Sequence, residues 1–361
     1  SWSKNLAFKN LTFANSKWTL PAGGYDGLQA GSYGMDPYTA TYFSLPAILT
    51  EFASNLELSA NTFWHLGSHG LALGQGSNNI KINGNLFTDI GGNSIMIGYR
   101  PQFVLEADWN PISLAPQRND ITNNTIYSTA TNMWDSVGIF AAFSGFTNIS
   151  NNLIHDLPYS GISTGFIWNT TVTSMKNTTI KKNYIHHISL KLNDSGGIYV
   201  LGNQPNSVVS NNAMTDIYPP SPGSAVAGLY FDNGSSGWKV QENSTSNWFC
   251  SDCQPNHVPS DSPTNFNLVS NNVYGSVPPV IDLTKIGPQT TPPTQTPTPT
   301  PKGTSLPRDI DKNGKVDIFD YNLLFSDFGK TGKPGFVPSD INRDGKVDIL
   351  DYNILIANFG K

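Results

Sequence analysis

Apolar and polar positions alternate in short bursts along most of the chain, and one burst recurs as apolar-x-x-Asn-x-apolar. It reads Leu58-Ser-Ala-Asn-Thr-Phe, Ile82-Asn-Gly-Asn-Leu-Phe, Ile121-Thr-Asn-Asn-Thr-Ile and Ile149-Ser-Asn-Asn-Leu-Ile. It continues as Ile180-Lys-Lys-Asn-Tyr-Ile, Val209-Ser-Asn-Asn-Ala-Met, Val240-Gln-Glu-Asn-Ser-Thr and Val269-Ser-Asn-Asn-Val-Tyr. The asparagines fall at 61, 85, 124, 152, 183, 212, 243 and 272, in steps of 24 to 39 residues. Phe8-Lys-Asn-Leu-Thr-Phe fits as an earlier copy with Leu11 in the asparagine slot.

Repeats of this length without helical periodicity predict stacked coils of short parallel strands, a β-helix, rather than βαβ units. Strands stacked one per coil lie ~4.8 Å apart. Asparagine tolerates left-handed backbone angles at a bend, and its amide can bond the same amide one coil away. A second strand aligns from Gly70, Ser94, Gly138, Gly161, Gly197 and Gly228. Alternation turns Leu71, Ile95, Ile139, Ile162, Ile198 and Leu229 inward. Ala72, Met96, Phe140, Ser163, Tyr199 and Tyr230 then form an outward column expected at the surface, and Asp232 ends the next outward row.

The pattern breaks near residue 285. Residues 285–305 form a Pro-Thr tract, an extended linker that cannot pack a core. Beyond it, Asp309-Ile-Asp-Lys-Asn-Gly-Lys-Val-Asp-Ile-Phe-Asp is repeated 31 residues later as Asp340-Ile-Asn-Arg-Asp-Gly-Lys-Val-Asp-Ile-Leu-Asp, each followed by a helical stretch. The expected organisation is a β-helix over 1–284, a linker over 285–305 and a small α-helical module over 306–361.

Composition sharpens this picture little. Charged residues make up 13% of the chain and the net charge is −5, which gives no reason to expect nucleic acid or an anionic membrane as partner. No apolar run is long enough to span a bilayer, and the chain opens without a leader, as a mature form or a fragment would. Cys250 and Cys253, with His257 nearby, suit a local disulfide or two free thiols better than zinc.

Two sets of residues carry candidate chemistry. Oxygen ligands at loop positions 1, 3, 5 and 12 with glycine at 6 make a calcium loop. In the first loop these are Asp309, Asp311, Asn313 and Asp320, with the Lys315 carbonyl and Asp317 through water; in the second, Asp340, Asn342, Asp344 and Asp351, with Lys346 and Asp348. Two calcium ions are expected, and none for catalysis.

On the β-helix, Asp194 and Asp232 fall on consecutive coils near Tyr199 and Tyr230, as two carboxyls flanking a glycosidic bond would. Strand alignment sets them apart, so they meet only if the Asp194 segment folds back over the tyrosines. Asp135 occupies the slot of Asp194 two coils earlier and is a rival or subsite residue. His155, His186 and His187 are candidate sugar contacts, and Trp134, Trp168 and Trp238 candidate stacking platforms. Glycines 196, 197, 234 and 237 would let a sugar approach the backbone.

The calcium-loop residues resemble a type I dockerin over about 306–361. The resemblance implies a cohesin partner and a secreted protein, held in a multi-enzyme complex or at a cell surface. The pairs Ile318-Phe319 and Ile349-Leu350 depart from the small hydroxyl residues of the best-known group. His155-Asp-Leu-Pro-Tyr-Ser-Gly-Ile-Ser, Asn193-Asp-Ser-Gly-Gly-Ile-Tyr, Gln204-Pro and Gly228-Leu-Tyr-Phe-Asp-Asn-Gly-Ser-Ser-Gly resemble glycoside hydrolase family 141 over about 5–272. That resemblance implies a right-handed parallel β-helix, α-L-fucosidase or xylanase activity, catalytic Asp194 and Asp232, and Tyr159 among the substrate contacts. Family members usually carry more chain at the N-terminus, so a shortened member is expected.

The leading expectation is a secreted, monomeric hydrolase of plant-type polysaccharide. A pectin lyase is the alternative, for which the β-helix has only Arg100 and Arg118 to bind uronate; a non-catalytic carbohydrate-binding β-helix is the third class.

Overall fold

The computed structural model describes residues 3–19, 29–31, 45–98, 114–217, 220–221, 225–245, 267–275, 286–287, 308–312, 314, 316, 318–356 and 358. Cys250, Cys253, His257, Arg100, Asn313, Lys315, Asp317 and nearly all of the linker lie outside them. The chain divides into two compact units, Ser1–Thr290 and Thr291–Lys361.

The first unit is a right-handed parallel β-helix. Its first sheet runs from Ala7–Lys9 to Leu268–Ser270, its second from Thr12–Ala14 to Val273–Tyr274, and its third from Ile48–Thr50 to Val226–Phe231. The described strands number nine, nine and seven, and each successive coil adds one neighbour to a sheet. The register matches the alignment read from sequence: Leu71 pairs Ile95, Ile139 pairs Ile162, and Ile198 pairs Leu229. Ile48–Thr50 adds one further strand ahead of Leu71, where no glycine announces it. Inward side chains are buried in one continuous core, within which Phe13, Phe63 and Phe87 stack at 5.0 and 4.5 Å.

The eight asparagines form an unbroken ladder. Each side-chain amide donates to the side-chain carbonyl of the next, at 2.9–3.1 Å from Asn61 to Asn272. The same carbonyl also accepts the preceding asparagine's main-chain N–H, and Leu11 donates its own N–H to Asn61 as the first member of the column. The left-handed residue of each bend is not the ladder asparagine, as expected, but the one before it: Asn10, Ala60, Gly84, Asn123, Asn151, Lys182, Asn211, Glu242 and Asn271. The ladder side chain must point inward to reach its neighbours, and the preceding residue makes the turn.

The outer face of the third sheet is not a surface over most of its length, contrary to the outward column expected from alternation. A second apolar layer covers it, built from Ala72, Met96, Phe140 and Tyr159 with Ala30, Val137, Phe143 and Phe166. Ala30 belongs to the short segment Gln29–Gly31, tied down where Asn93 donates to its carbonyl at 2.6 Å. Tyr199 is only 1% exposed. The cover thins at the last coil, where Tyr230 and Asp232 are half-buried.

The second unit holds helices Ile318–Asp327 and Ile349–Ile356, packed over Ile310, Val316, Leu324, Val347 and Leu355. Each helix follows one acidic loop. Arg308 joins the two ends of the module through Asn358 at 3.1 Å.

Candidate functional site

Asp194 stands immediately before the strand Ser195–Val200, and Asp232 immediately after Val226–Phe231, its neighbour in the sheet. Extended chain would keep them apart at opposite margins. Asp194 instead takes a left-handed conformation, φ 52°, which folds its segment back over the outer face. The turn is heavily anchored. Lys191 and Leu192 donate main-chain N–H groups to the Pro158 carbonyl at 2.9 and 3.1 Å, and Gly196 donates to the Ser160 hydroxyl at 3.0 Å. Tyr159 donates its hydroxyl to the Asp194 carbonyl at 2.7 Å.

Asp232 opens a tight turn closed by the Ser235 N–H on its carbonyl at 3.0 Å, while its own N–H bonds Val200 at 2.9 Å.

The two carboxylates meet at one phenol. The Tyr199 hydroxyl lies 3.5 Å from Asp194 Oδ1 and makes a short hydrogen bond to Asp232 Oδ2. Tyr230 stacks on Tyr199 at 4.9 Å and also hydrogen-bonds Asp194. Asp194 is exposed as a residue, yet partial burial of its carboxyl and the nearby charge of Asp232 push its pKa above the ordinary aspartate value. The tyrosine hydrogen bonds oppose that rise. Burial and the same carboxylates push Tyr159 and Tyr199 far up, so both stay protonated donors.

Asp135 joins this cluster electrostatically: after burial and the charge of Asp194, its charge adds to the rise at Tyr159. Gln29, a residue that sequence reasoning missed, lies against the hydroxyls of Tyr159 and Tyr199.

The other expected contacts scatter. His155 and His186 stack in register with Tyr127 on the outer face of the second sheet, at ring separations of 5.0 and 4.7 Å. His186 Nδ1 lies 2.7 Å from His187 Nδ1, and His155 pairs Asp156 at 2.7 Å. Burial, then its histidine neighbours, hold His186 down at about 4. None of these bonds reaches the aspartate pair.

Trp238 is 1% exposed and packs edge-on against Phe231 at 6.0 Å, so it is core and not a platform. Trp134 and Trp168 are 52% and 42% exposed. The glycines serve chain crossings rather than an approaching sugar. A Cβ on Gly197 would meet Met214, on Gly234 the Asn169 carbonyl, and on Gly237 the Pro205 backbone.

In the second unit, carboxylate oxygens of Asp309, Asp311 and Asp320 all lie within 4.8 Å of one another, and Asp320 is fully buried. Three anionic groups so close repel unless a cation joins them, so the residues present fit a hard divalent ion. The second loop repeats the backbone. Gly314 and Gly345 donate to Asp309 and Asp340 at 2.7 and 3.1 Å, and Lys312 and Arg343 are left-handed at φ 62° and 58°. Its carboxylates converge less. Asp340 accepts Asp344 and Gly335 N–H groups, and Asp351 accepts those of Asn342 and Asp348. Asp348 in turn caps the second helix by accepting the Leu350 N–H at 2.8 Å.

A right-handed β-helix family model matches residues 110–278. Among solved structures, the chain is similar to one described as a glycoside hydrolase, at 27% identity and a TM-score of 0.66, over 79% of this chain and 50% of that one. A complex of XylC with xylose matches at 12% identity and a TM-score of 0.41, over 65% and 50% of the two chains. An alginate lyase from Paenibacillus sp. str. FPU-7 matches at 14% and 0.40, over 75% and 90%. The chain spans about half the length of the glycoside hydrolase it matches. Among curated proteins, none matches the chain by sequence.

Proposed function

We propose that the β-helix is a glycoside hydrolase of the family 141 type, cleaving plant-type polysaccharide with fucosidase- or xylanase-like chemistry. The carrying observation is the Asp194–Tyr199–Asp232 bridge, and the similarity to a solved glycoside hydrolase supports it. Asp194, with its raised pKa, is the general acid: its proton passes to the glycosidic oxygen as the C1–O bond breaks. Asp232 faces the opposite role. The Tyr199 hydroxyl bridges Asp194 Oδ1 and Asp232 Oδ2, so both carboxyls face the same bound sugar. Retaining enzymes hold their carboxyls ~5–5.5 Å apart and inverting ones ~6.5–9.5 Å. Two carboxyls bridged by one phenol suit the closer, retaining spacing, with Asp232 as the nucleophile. Its carboxylate attacks C1, Tyr199 holds it in place, and water activated by the deprotonated Asp194 then releases the sugar.

The second unit is a dockerin that takes two calcium ions through Asp309, Asp311, Asp320 and their counterparts Asp340, Asn342, Asp344 and Asp351. Calcium would join the clustered carboxylates and brace both loops for a cohesin partner, and a secreted location follows from that role.

The test is product chemistry on aryl α-L-fucosides and soluble xylan. A hydrolase releases reducing ends without an unsaturated uronate, and Asp194→Asn and Asp232→Asn each abolish release while circular dichroism is unchanged. Unsaturated products would make it a lyase, and full activity in both variants would overturn the assignment of the pair.

A further inference from the structure

We infer that the substrate is an internal stretch of a glycan chain lying along the strands of the third sheet, held at its two margins by Trp134 and Trp168; this rests on the hydrolase reading above. Among the described tryptophans only these two are strongly exposed, and each sits beside a segment that bears one of the aspartates. Lys191, three residues before Asp194, places its ammonium 5.5 Å from the Trp134 ring centre and fixes that indole at the Asp194 margin. Trp168 packs edge-on against Phe166 at 4.9 Å, and its neighbour Asn169 abuts Gly234 in the turn that Asp232 opens. The Asn169 side chain accepts the Thr171 N–H at 2.8 Å, which stiffens the Trp168 turn.

Both platforms are therefore built onto turns, one neighbouring the Asp194 segment and the other the Asp232 turn, the two carboxylates that Tyr199 bridges. Register sets the span. Ile139 pairs Ile162, Trp134 precedes the first by five residues, and Trp168 follows the second by six. The two indoles thus belong to opposite ends of adjacent strands, Ile139–Ala141 and Ile162–Thr164. A sugar ring presents an apolar C–H face that stacks on an indole, and two indoles on opposite sides of the scissile position bind sugars on both sides of the bond. A terminal-sugar enzyme needs a closed end there. This geometry implies cutting within the chain.

Retention by soluble xylan, and separately by fucosylated xyloglucan, in affinity gels tests the platforms without turnover when measured on Asp194→Asn protein. Trp134→Ala and Trp168→Ala are each expected to weaken retention about five- to tenfold, the double variant to multiply the losses, and Trp→Phe to restore part. Unchanged retention in both variants, or no retention of the parent protein by either glycan, overturns the inference. Early products of the active protein should be oligosaccharides of mixed length; release of single sugars alone also overturns it. Loss of retention in a protein without hydrolytic activity would keep the platforms and sink the hydrolase reading, whereas hydrolysis with unaltered retention does the reverse.

Discussion

Tyr159 reaches from the preceding coil to donate its hydroxyl to the main-chain carbonyl of Asp194, the residue whose left-handed turn brings the two aspartates together. The phenol is almost buried within the outer apolar layer, so its position is set by packing and it in turn sets the turn. Tyr159→Phe keeps the packing and removes the donor. The expected cost is about 1 kcal/mol in urea unfolding, with kcat lowered about tenfold or more because the acid is released from its place. Full activity in the variant would mean the turn holds itself.

The raised pKa of Asp194 has separable causes. Burial comes first and the charge of Asp232 second, while hydrogen bonds from Tyr230 and Tyr199 oppose both. On the proposed reading Asp194 acts as general acid while protonated, so activity should fall as pH rises through its folded-state value, which lies above that of a free aspartate. Asp232→Asn should lower the Asp194 midpoint and Tyr230→Phe should raise it, both read by carboxyl carbon NMR titration. A midpoint unmoved in both would remove the electrostatic coupling of the pair.

The asparagine ladder predicts a steep stability penalty far from the site. Asn152 Oδ1 accepts from the Asn124 main chain and side chain, and its Nδ2 donates to Ile121 and Asn183, all buried. Asn152→Ala leaves these partners unsatisfied at a cost of roughly 3–5 kcal/mol. A loss below about 1 kcal/mol in denaturant unfolding would show that water or relaxation replaces the amide.

The coil period and the strand register were legible because each follows from local spacing: period-two alternation fixes which residues align, and alignment fixes which coils neighbour; the approach of Asp194 to Asp232 depends instead on the left-handed turn at Asp194, which alignment alone does not give. Alternation also places Trp238 on the same face as inward Val240, which is why it is core. The outer layer was not legible. Gln29–Gly31 reaches the third sheet through a contact between Asn93 and Ala30, 63 residues apart, and no repeat encodes it. Buried Tyr199 and the site role of Gln29 both depend on that cover.

His69 makes the β-helix sensitive to acid. It is fully buried, its Nδ1 accepts the Asn93 N–H at 2.9 Å, and burial holds its pKa near 3 against 6.5 when free. The unfolded chain therefore binds a proton that the folded chain refuses as pH falls below 6.5, and stability drops through that window until about pH 3. The loss is at most about 1.4 kcal/mol per pH unit. Melting temperatures of His69→Asn, which keeps an acceptor, should fall less steeply between pH 6.5 and 4 than those of the parent. Parallel curves would place the acid sensitivity elsewhere.

The proposed calcium binding by the second unit is tested at Asp320. Its carboxylate is fully buried, accepts the Asp311 N–H at 3.1 Å, and lies within 4.8 Å of the carboxylates of Asp309 and Asp311. Without a cation the three repel; on the proposed reading calcium would take them as ligands, and binding to the folded form would add to its stability. Far-ultraviolet circular dichroism of the full chain should lose helical signal on chelation and regain it with calcium but not with magnesium, whose rigid octahedron suits a flexible acidic loop less well. Asp320→Ala should lose about half of the calcium bound and blunt the recovery, because only the first loop is disarmed. Equal calcium stoichiometry in that variant and the parent would remove Asp320 from the ligand set.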